Sequence, residues 1–201
     1  LRLERFLDMY KTKVVCLGEA LIDRIKNKTN KEFTDYLGGA PANVACALRK
    51  LKIDSVFIGC LGSDDYGNKF IDQFNQLKVN VDFLQVDKRF PTRIVKVERD
   101  HSGDRFFSGF DASPETIFAD EAINKSCIIE NLASLNKLFS NTKYFVSGTN
   151  VLSSLISKES CYFLLEIAKK YDVKVIIDLN WREVFWNYSN FSSKISKKKI
   201  F

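Results

Sequence analysis

From Val14 onward, short apolar runs rich in β-branched residues alternate with longer stretches whose apolar positions recur at three- and four-residue steps. Strands and helices taking turns give that pattern, and it predicts an α/β fold. Val14-Val15-Cys16-Leu17, stopped by Gly18, reads as a strand buried on both faces, as do Ser55–Ile58, Lys143–Val146 and Val173–Ile177. Helices are predicted over 41–51, 66–77, 132–139 and 158–171. In the last, Cys161, Leu164, Leu165 and Ala168 form one stripe suited to covering a sheet face. Glu32–Leu37, Thr92–Arg99 and Arg105–Phe110 instead alternate apolar with polar, which predicts antiparallel strands with one wet face and a small β flap beside the main sheet.

Composition narrows the class. At 201 residues, 45% apolar and 13% aromatic, the chain can build one core of ordinary size, which excludes disordered, collagen-like and disulfide-scaffold proteins. Charges interrupt every apolar stretch before the roughly 18 residues a spanning helix needs, and Glu4, Arg5 and Asp8 break up the N-terminus, so no membrane segment and a cytoplasmic location are expected. The net charge of +6 sits at the ends: residues 194–201 carry four lysines and no acid, and residues 1–13 carry four bases against Glu4 and Asp8. The segment between is neutral, whereas a nucleic-acid reader needs a basic face on its folded body, so no nucleic-acid partner is expected. The chain therefore divides into an N-terminal extension (1–13), a domain (14–193) and a basic tail (194–201).

Five cysteines lie scattered without a Cys-x-x-Cys pair and read as small core residues in a reducing compartment. The single histidine, His101, falls in the turn-forming string Asp100–Asp104, which leaves no histidine-built metal centre.

Three segments carry candidate chemistry. In Leu37-Gly38-Gly39-Ala40-Pro41-Ala42-Asn43-Val44-Ala45, two glycines precede a proline suited to a first helical turn. Adjacent glycines admit a ligand close to the backbone, the first-turn amides point at it, and Asn43 offers both a donor and an acceptor to a hydroxyl-rich molecule. A glycine turn into a tightly packed alanine helix would give the same letters. Asp23, in Gly18-Glu19-Ala20-Leu21-Ile22-Asp23, falls just beyond the first buried strand, on the edge where open α/β sheets bind ligands; a surface or capping acid is the alternative. Ile177-Asp178-Leu179-Asn180-Trp181-Arg182 places an arginine beyond another strand end, where it can hold a phosphate.

Taken in order with Ile58-Gly-Cys-Leu-Gly62-Ser-Asp64-Asp-Tyr-Gly67, these segments resemble the N-terminal two thirds of PfkB-family (ribokinase-like) carbohydrate kinases, most of all bacterial and plant fructokinases. The resemblance runs over about 14–186, and Lys52 departs from it, standing where the family has glycine or serine. It implies a ribokinase-like fold: a mainly parallel central sheet between helices, with a β lid from about 24–37 and 90–110. It also implies ATP-dependent phosphorylation of a sugar hydroxyl, with fructose the first choice, fructose 6-phosphate the product, ATP and Mg2+ the cofactors, and a homodimer joined through the lid. Residue by residue it gives Asp23, Gly38, Gly39 and Asn43 to the sugar, with Gly38-Gly39 also serving as a hinge. Thr149 becomes a further sugar contact, and Asn180 and Arg182 become phosphate or substrate contacts.

The family's catalytic base is the aspartate of a Gly-Ala-Gly-Asp motif, and no Gly-x-Gly-Asp occurs here. Neither a Walker-type loop nor, after Arg182, a counterpart of the family's Asn-x-x-Glu is present, so no catalytic residue or metal ligand is assigned in this chain. The expectation is a fructokinase-like chain lacking its C-terminal third, with an open sheet edge and uncovered apolar faces. An inactive sugar-binding fragment and a nucleoside kinase of the same superfamily stay open as alternatives.

Overall fold

The computed structural model describes residues 13–26, 32–99, 105–113, 115–181 and 185–186. In its main sheet β5 (Leu84–Asp87), β4 (Asp54–Gly62), β1 (Lys13–Leu17), β8 (Tyr144–Gly148) and β9 (Lys174–Asp178) lie side by side in that order. Every pairing between them is parallel.

Strand alternation splits β1 between two cores. Val15 and Leu17 join Val56, Ile58 and Phe145 on one face, under α3 (Lys125–Ile129), α4 (Leu132–Phe139) and α5 (Leu155–Lys170). Val14 and Cys16 join Phe57 and Leu61 on the other, under α1 (Ala40–Lys50) and α2 (Asp65–Leu77). The expected stripe on α5 does face the sheet: Cys161, Leu164 and Ala168 are buried, with Leu165 packed beside them.

A second sheet of four strands makes the flap, in the order β3 (Phe33–Gly38), β2 (Leu21–Lys26), β6 (Ile94–Arg99), β7 (Arg105–Phe110). β2 runs antiparallel to β3 and parallel to β6, and β6 runs antiparallel to β7. Leu21, Val95 and Val97 form its buried face, with Phe110 and Phe185 packed against them. Asp23, which follows the end of β1, lies within a flap strand, two residues into β2.

Asp64 fixes where the flap leaves the main body. Its Oδ1 caps α2 by accepting from the Gly67 amide at 2.8 Å and also accepts from Thr92 Oγ1 at 2.9 Å, while its Oδ2 accepts from the Thr92 amide at 2.7 Å. The Gly62–Gly67 segment of the resemblance is therefore a structural joint.

Two expectations need correction. The Val173–Ile177 run is not buried on both faces: Val175, Ile176 and Ile177 are 43%, 48% and 42% exposed. The reason is position, because β9 ends the sheet among the described residues and bonds to β8 alone. Of the cysteines, Cys16, Cys46, Cys60 and Cys161 are buried and Cys127 is exposed, all of them free thiols. Among the described residues, no helix is long and apolar enough to cross a membrane. Arg182, His101, residues 1–12 and residues 194–201 lie outside the described residues.

Candidate functional site

The chain builds outward from β1 through β4 to β5 and then returns to place β8 and β9 on the other side. The order reverses between β1 and β8, and crevices for ligands open at such points, beyond the strands' C-terminal ends. Gly18 and Glu19 follow β1 there, and Gly148 ends β8.

Two glycines shape the corner. Gly39 turns the chain from β3 into α1 at φ 97°, a conformation that side chains resist, and a methyl group on it would stand 2.5 Å from the Glu19 carbonyl oxygen. At Gly38 a methyl group would stand 2.5 Å from Asp23 Oδ2. The Asp23 carboxylate thus leans across the ladder and occupies the space that the missing side chain leaves. One residue on, no side chain caps the N-terminus of α1 and Pro41 lies in its first turn. Asn43 donates its amide to the Gly39 carbonyl at 2.9 Å and stands exposed, away from the buried face of Pro41, Ala42, Ala45 and Cys46. Asp23, Gly38, Gly39 and Asn43 therefore form one corner, with a carboxylate, bare backbone and a helix start within a few residues of one another.

Glu19 ties this corner to β8. Its side chain is 5% exposed, and Asn150 Nδ2 donates to its Oε1 at 3.3 Å. Thr149 and Asn150 open the 3-10 turn Thr149–Ser153 directly after β8. Among the described residues Glu19 Oε2, Asn150 Oδ1 and Thr149 Oγ1 are buried without a hydrogen-bond partner. Burial pushes the Glu19 carboxyl up to about 7, with Asp120 adding to the rise, while the amides of Glu19, Asn150 and Ala40 oppose it. Asn180 stands on the same rim, two residues past Asp178, the β9 partner of Gly148. Its amide donates to Asp178 Oδ1 at 3.1 Å, so its own strand end holds it and not the corner.

Two ionic clusters anchor the flap. Arg24 on β2 donates from Nε and Nη2 to both oxygens of Asp35 on β3, each at 2.7 Å, and also pairs with Asp111. Tyr66, from α2, joins this pair by donating to Asp35 and accepting from Arg24 Nη2 at 2.7 Å. The Arg24 guanidinium holds the Asp35 carboxyl below its ordinary value. Deeper in, Arg93 is 3% exposed; its Nε donates to Asp120 at 3.0 Å, and its guanidinium lies against Phe118, Phe185 and Phe110 at 4.4, 4.7 and 4.8 Å.

The sequence motifs give Glu19 no role and do not single out Asn150, Arg93 or Asp120. Glu19 carried a signal, an acid flanked by small residues at the end of a wholly apolar run. The partners of Arg93 lie up to 92 residues away, at Asp120 and Phe185, and no local pattern announces them.

Residues 11–197 match the pfkB family carbohydrate kinases. This chain belongs to that family. The pfkB chain is 29% identical over 199 residues to an ATP-dependent 6-phosphofructokinase of Thermoanaerobacterium thermosaccharolyticum, covering 96% of itself and 57% of that protein. Over 100 residues, 47% of itself and 30% of the relative, it is 37% identical to fructokinase-2 of Zea mays. Its fold superposes on the crystal structure of fructokinase from Xylella fastidiosa with a TM-score of 0.75 at 30% identity, covering 92% of this chain and 57% of that one. The ATP-bound form of that enzyme matches with a TM-score of 0.73 at 29% identity, again over 92% of this chain and 58% of that one. The pfkB chain thus has the ribokinase-like α/β fold and spans a little over half the length of the relatives it matches end to end.

Proposed function

We propose that this pfkB chain supplies the sugar-gripping part of a kinase that transfers the terminal phosphoryl group of ATP to a hydroxyl of a neutral sugar, fructose first, giving fructose 6-phosphate. The observation that carries this reading is the Asp23 carboxylate folded over side-chain-free Gly38, beside the uncapped start of α1. A carboxylate accepts from two sugar hydroxyls at once, bare glycine backbone lets the ring approach, and Asn43 adds a donor and an acceptor. Charge favours a neutral acceptor: the Asp23 carboxylate lies over Gly38, and a sugar already bearing a phosphate would meet it as like charge.

The remaining assignments follow from position. Thr149 lies on the β8 side of the crevice, Asn180 on the β9 rim, and Arg182 two residues beyond Asn180 in sequence. We give Thr149 to the sugar and Asn180 and Arg182 to phosphate or substrate. The four-stranded flap acts as the lid, hinged at Gly38-Gly39, and its closure keeps water from taking the phosphoryl group.

ATP brings the transferable group, and Mg2+ neutralises its charge when bound. Among the described residues no cluster of three His, Cys, Asp or Glu side chains fits a metal ion, so no step here runs through one. Removal of the hydroxyl proton is assigned to no residue of this chain, since no Gly-x-Gly-Asp segment occurs in it. The alternative reading is a chain that grips sugar without transferring phosphate by itself. The reading also takes the cytoplasm as the compartment and a homodimer joined through the lid, supported by Phe33 and Tyr36, half exposed on β3.

Fructose-dependent ADP release, measured beside calorimetric fructose binding, tests the reading. Binding with turnover supports the kinase, binding without turnover supports the sugar-gripping fragment, and no binding of fructose contradicts both.

A further inference from the structure

Glu19 and Asn150 present an unusual polar inventory for a packed interior. Both carboxyl oxygens of Glu19 sit in a side chain only 5% exposed; one accepts from Asn150 Nδ2 at 3.3 Å and the other has no partner. Asn150 Oδ1 is likewise buried without a partner. Buried acceptors left unpaired are costly, yet the two orphans belong to side chains that already touch. Both orphans are oxygens, acceptors that lack a donor, and a protonated carboxyl supplies a hydrogen.

We infer that Glu19 and Asn150 form a neutral carboxylic acid–amide pair, the Glu19 hydroxyl donating from Oε2 to Asn150 Oδ1 while Asn150 Nδ2 donates to Glu19 Oε1. The pair is a positioning element: it bridges the crevice between β1 and β8, and Gly39 rests on the Glu19 carbonyl. Ionising Glu19 leaves two oxygens facing each other across that bridge and loosens the Gly38-Gly39 corner.

The surroundings agree with a neutral acid. Asp120, from the turn Ala119–Glu121, repels charge on Glu19, although Arg93 compensates Asp120 itself at 3.0 Å, with Glu121 3.6 Å from Arg93. The backbone amide of Glu19 itself acts the other way, as do the Asn150 side chain and the Ala40 amide at the start of α1, and burial outweighs them. Thr149, next to Asn150 in sequence, has a hydroxyl that is buried without a partner among the described residues and adds no charge.

The positioning role rests on the sugar-site reading; the pair does not. With its carboxyl raised from 4.5 to about 7, Glu19 stabilises the fold fully below pH 4.5, and that contribution is lost as the pH rises to about 7. The test compares the wild-type protein with Glu19→Gln, which carries the pair's hydrogen at every pH, by thermal melting from pH 5 to 8 and by fructose calorimetry at pH 6 and 8. The expected result is a wild-type Tm that falls relative to E19Q over this range and wild-type fructose affinity about tenfold weaker at pH 8 than at pH 6, since about a tenth of the carboxyl stays protonated at pH 8. E19Q should bind fructose with the same affinity at pH 6 as at pH 8. Parallel melting of the two proteins overturns the pair. Parallel fructose affinities, or no fructose binding in either protein, overturn the positioning role, and in the latter case the sugar-site reading falls as well while the melting curves still decide the pair. Should E19Q fail to fold, the wild-type infrared spectrum decides: a buried protonated-carboxyl band at pH 6 that fades by pH 8 supports the pair, and its absence overturns it.

Discussion

The Asp23 carboxylate occupies the volume that a side chain on Gly38 would fill, with Oδ2 2.5 Å from the position of that missing carbon. The two residues lie on adjacent flap strands, paired two residues out of step, so the carboxylate reaches diagonally across the ladder. One glycine thereby decides where one acid points.

Gly38→Ala must therefore push the carboxylate aside. We expect fructose affinity to fall by about 1–3 kcal/mol, the usual effect of forcing a group into filled space or parting hydrogen-bonded partners. Calorimetric titration of the variant checks this, and an affinity equal to that of the wild type would mean that Asp23 does not grip the sugar from this position.

Asp120→Ala should be far more damaging to folding than to binding chemistry. It strips the carboxylate from an arginine that is 3% exposed and enclosed by three phenylalanine rings. Breaking a buried pair from one side costs about 3–5 kcal/mol, read by urea denaturation. Replacing both partners, Arg93→Met with Asp120→Leu, should recover most of that loss, because no lone charge then remains buried. A loss below about 1 kcal/mol for the single change would show that Glu121 suffices as a partner.

Lys52 stands where the resemblance expects glycine or serine, and it adopts φ 62° in the turn after α1. A lysine there bears the strain of a left-handed backbone, while glycine does not. Lys52→Gly should raise stability by up to about 1 kcal/mol, less whatever its freer unfolded chain takes back. A lower urea midpoint for the variant would count against this.

Much of the fold was legible in the letters. The strands around Val14, Ser55 and Lys143 announced themselves as short apolar runs, and α5 as a stripe at helical spacing, because burial leaves its mark on local sequence. What escaped depends on tertiary position. Nothing in Leu21–Lys26 separates a flap strand from a strand-end loop until β3 and β6 flank it. The run at Val173–Ile177 reads as a core strand and stands exposed because no strand pairs with its outer edge among the described residues. At the corner, motif and chemistry together single out Asp23, Gly38, Gly39 and Asn43 as candidates, whereas Glu19 and Asn150 acquire meaning only when 131 residues of separation close to a single contact.

The most direct measurement is fructose binding by the wild-type protein and by Asp23→Ala, titrated side by side, with fructose 6-phosphate as the charged comparison. The account predicts saturable fructose binding, weakened by about 1–3 kcal/mol when the carboxylate is removed, and weaker binding of the phosphorylated sugar. Equal fructose affinity in the two proteins would contradict it.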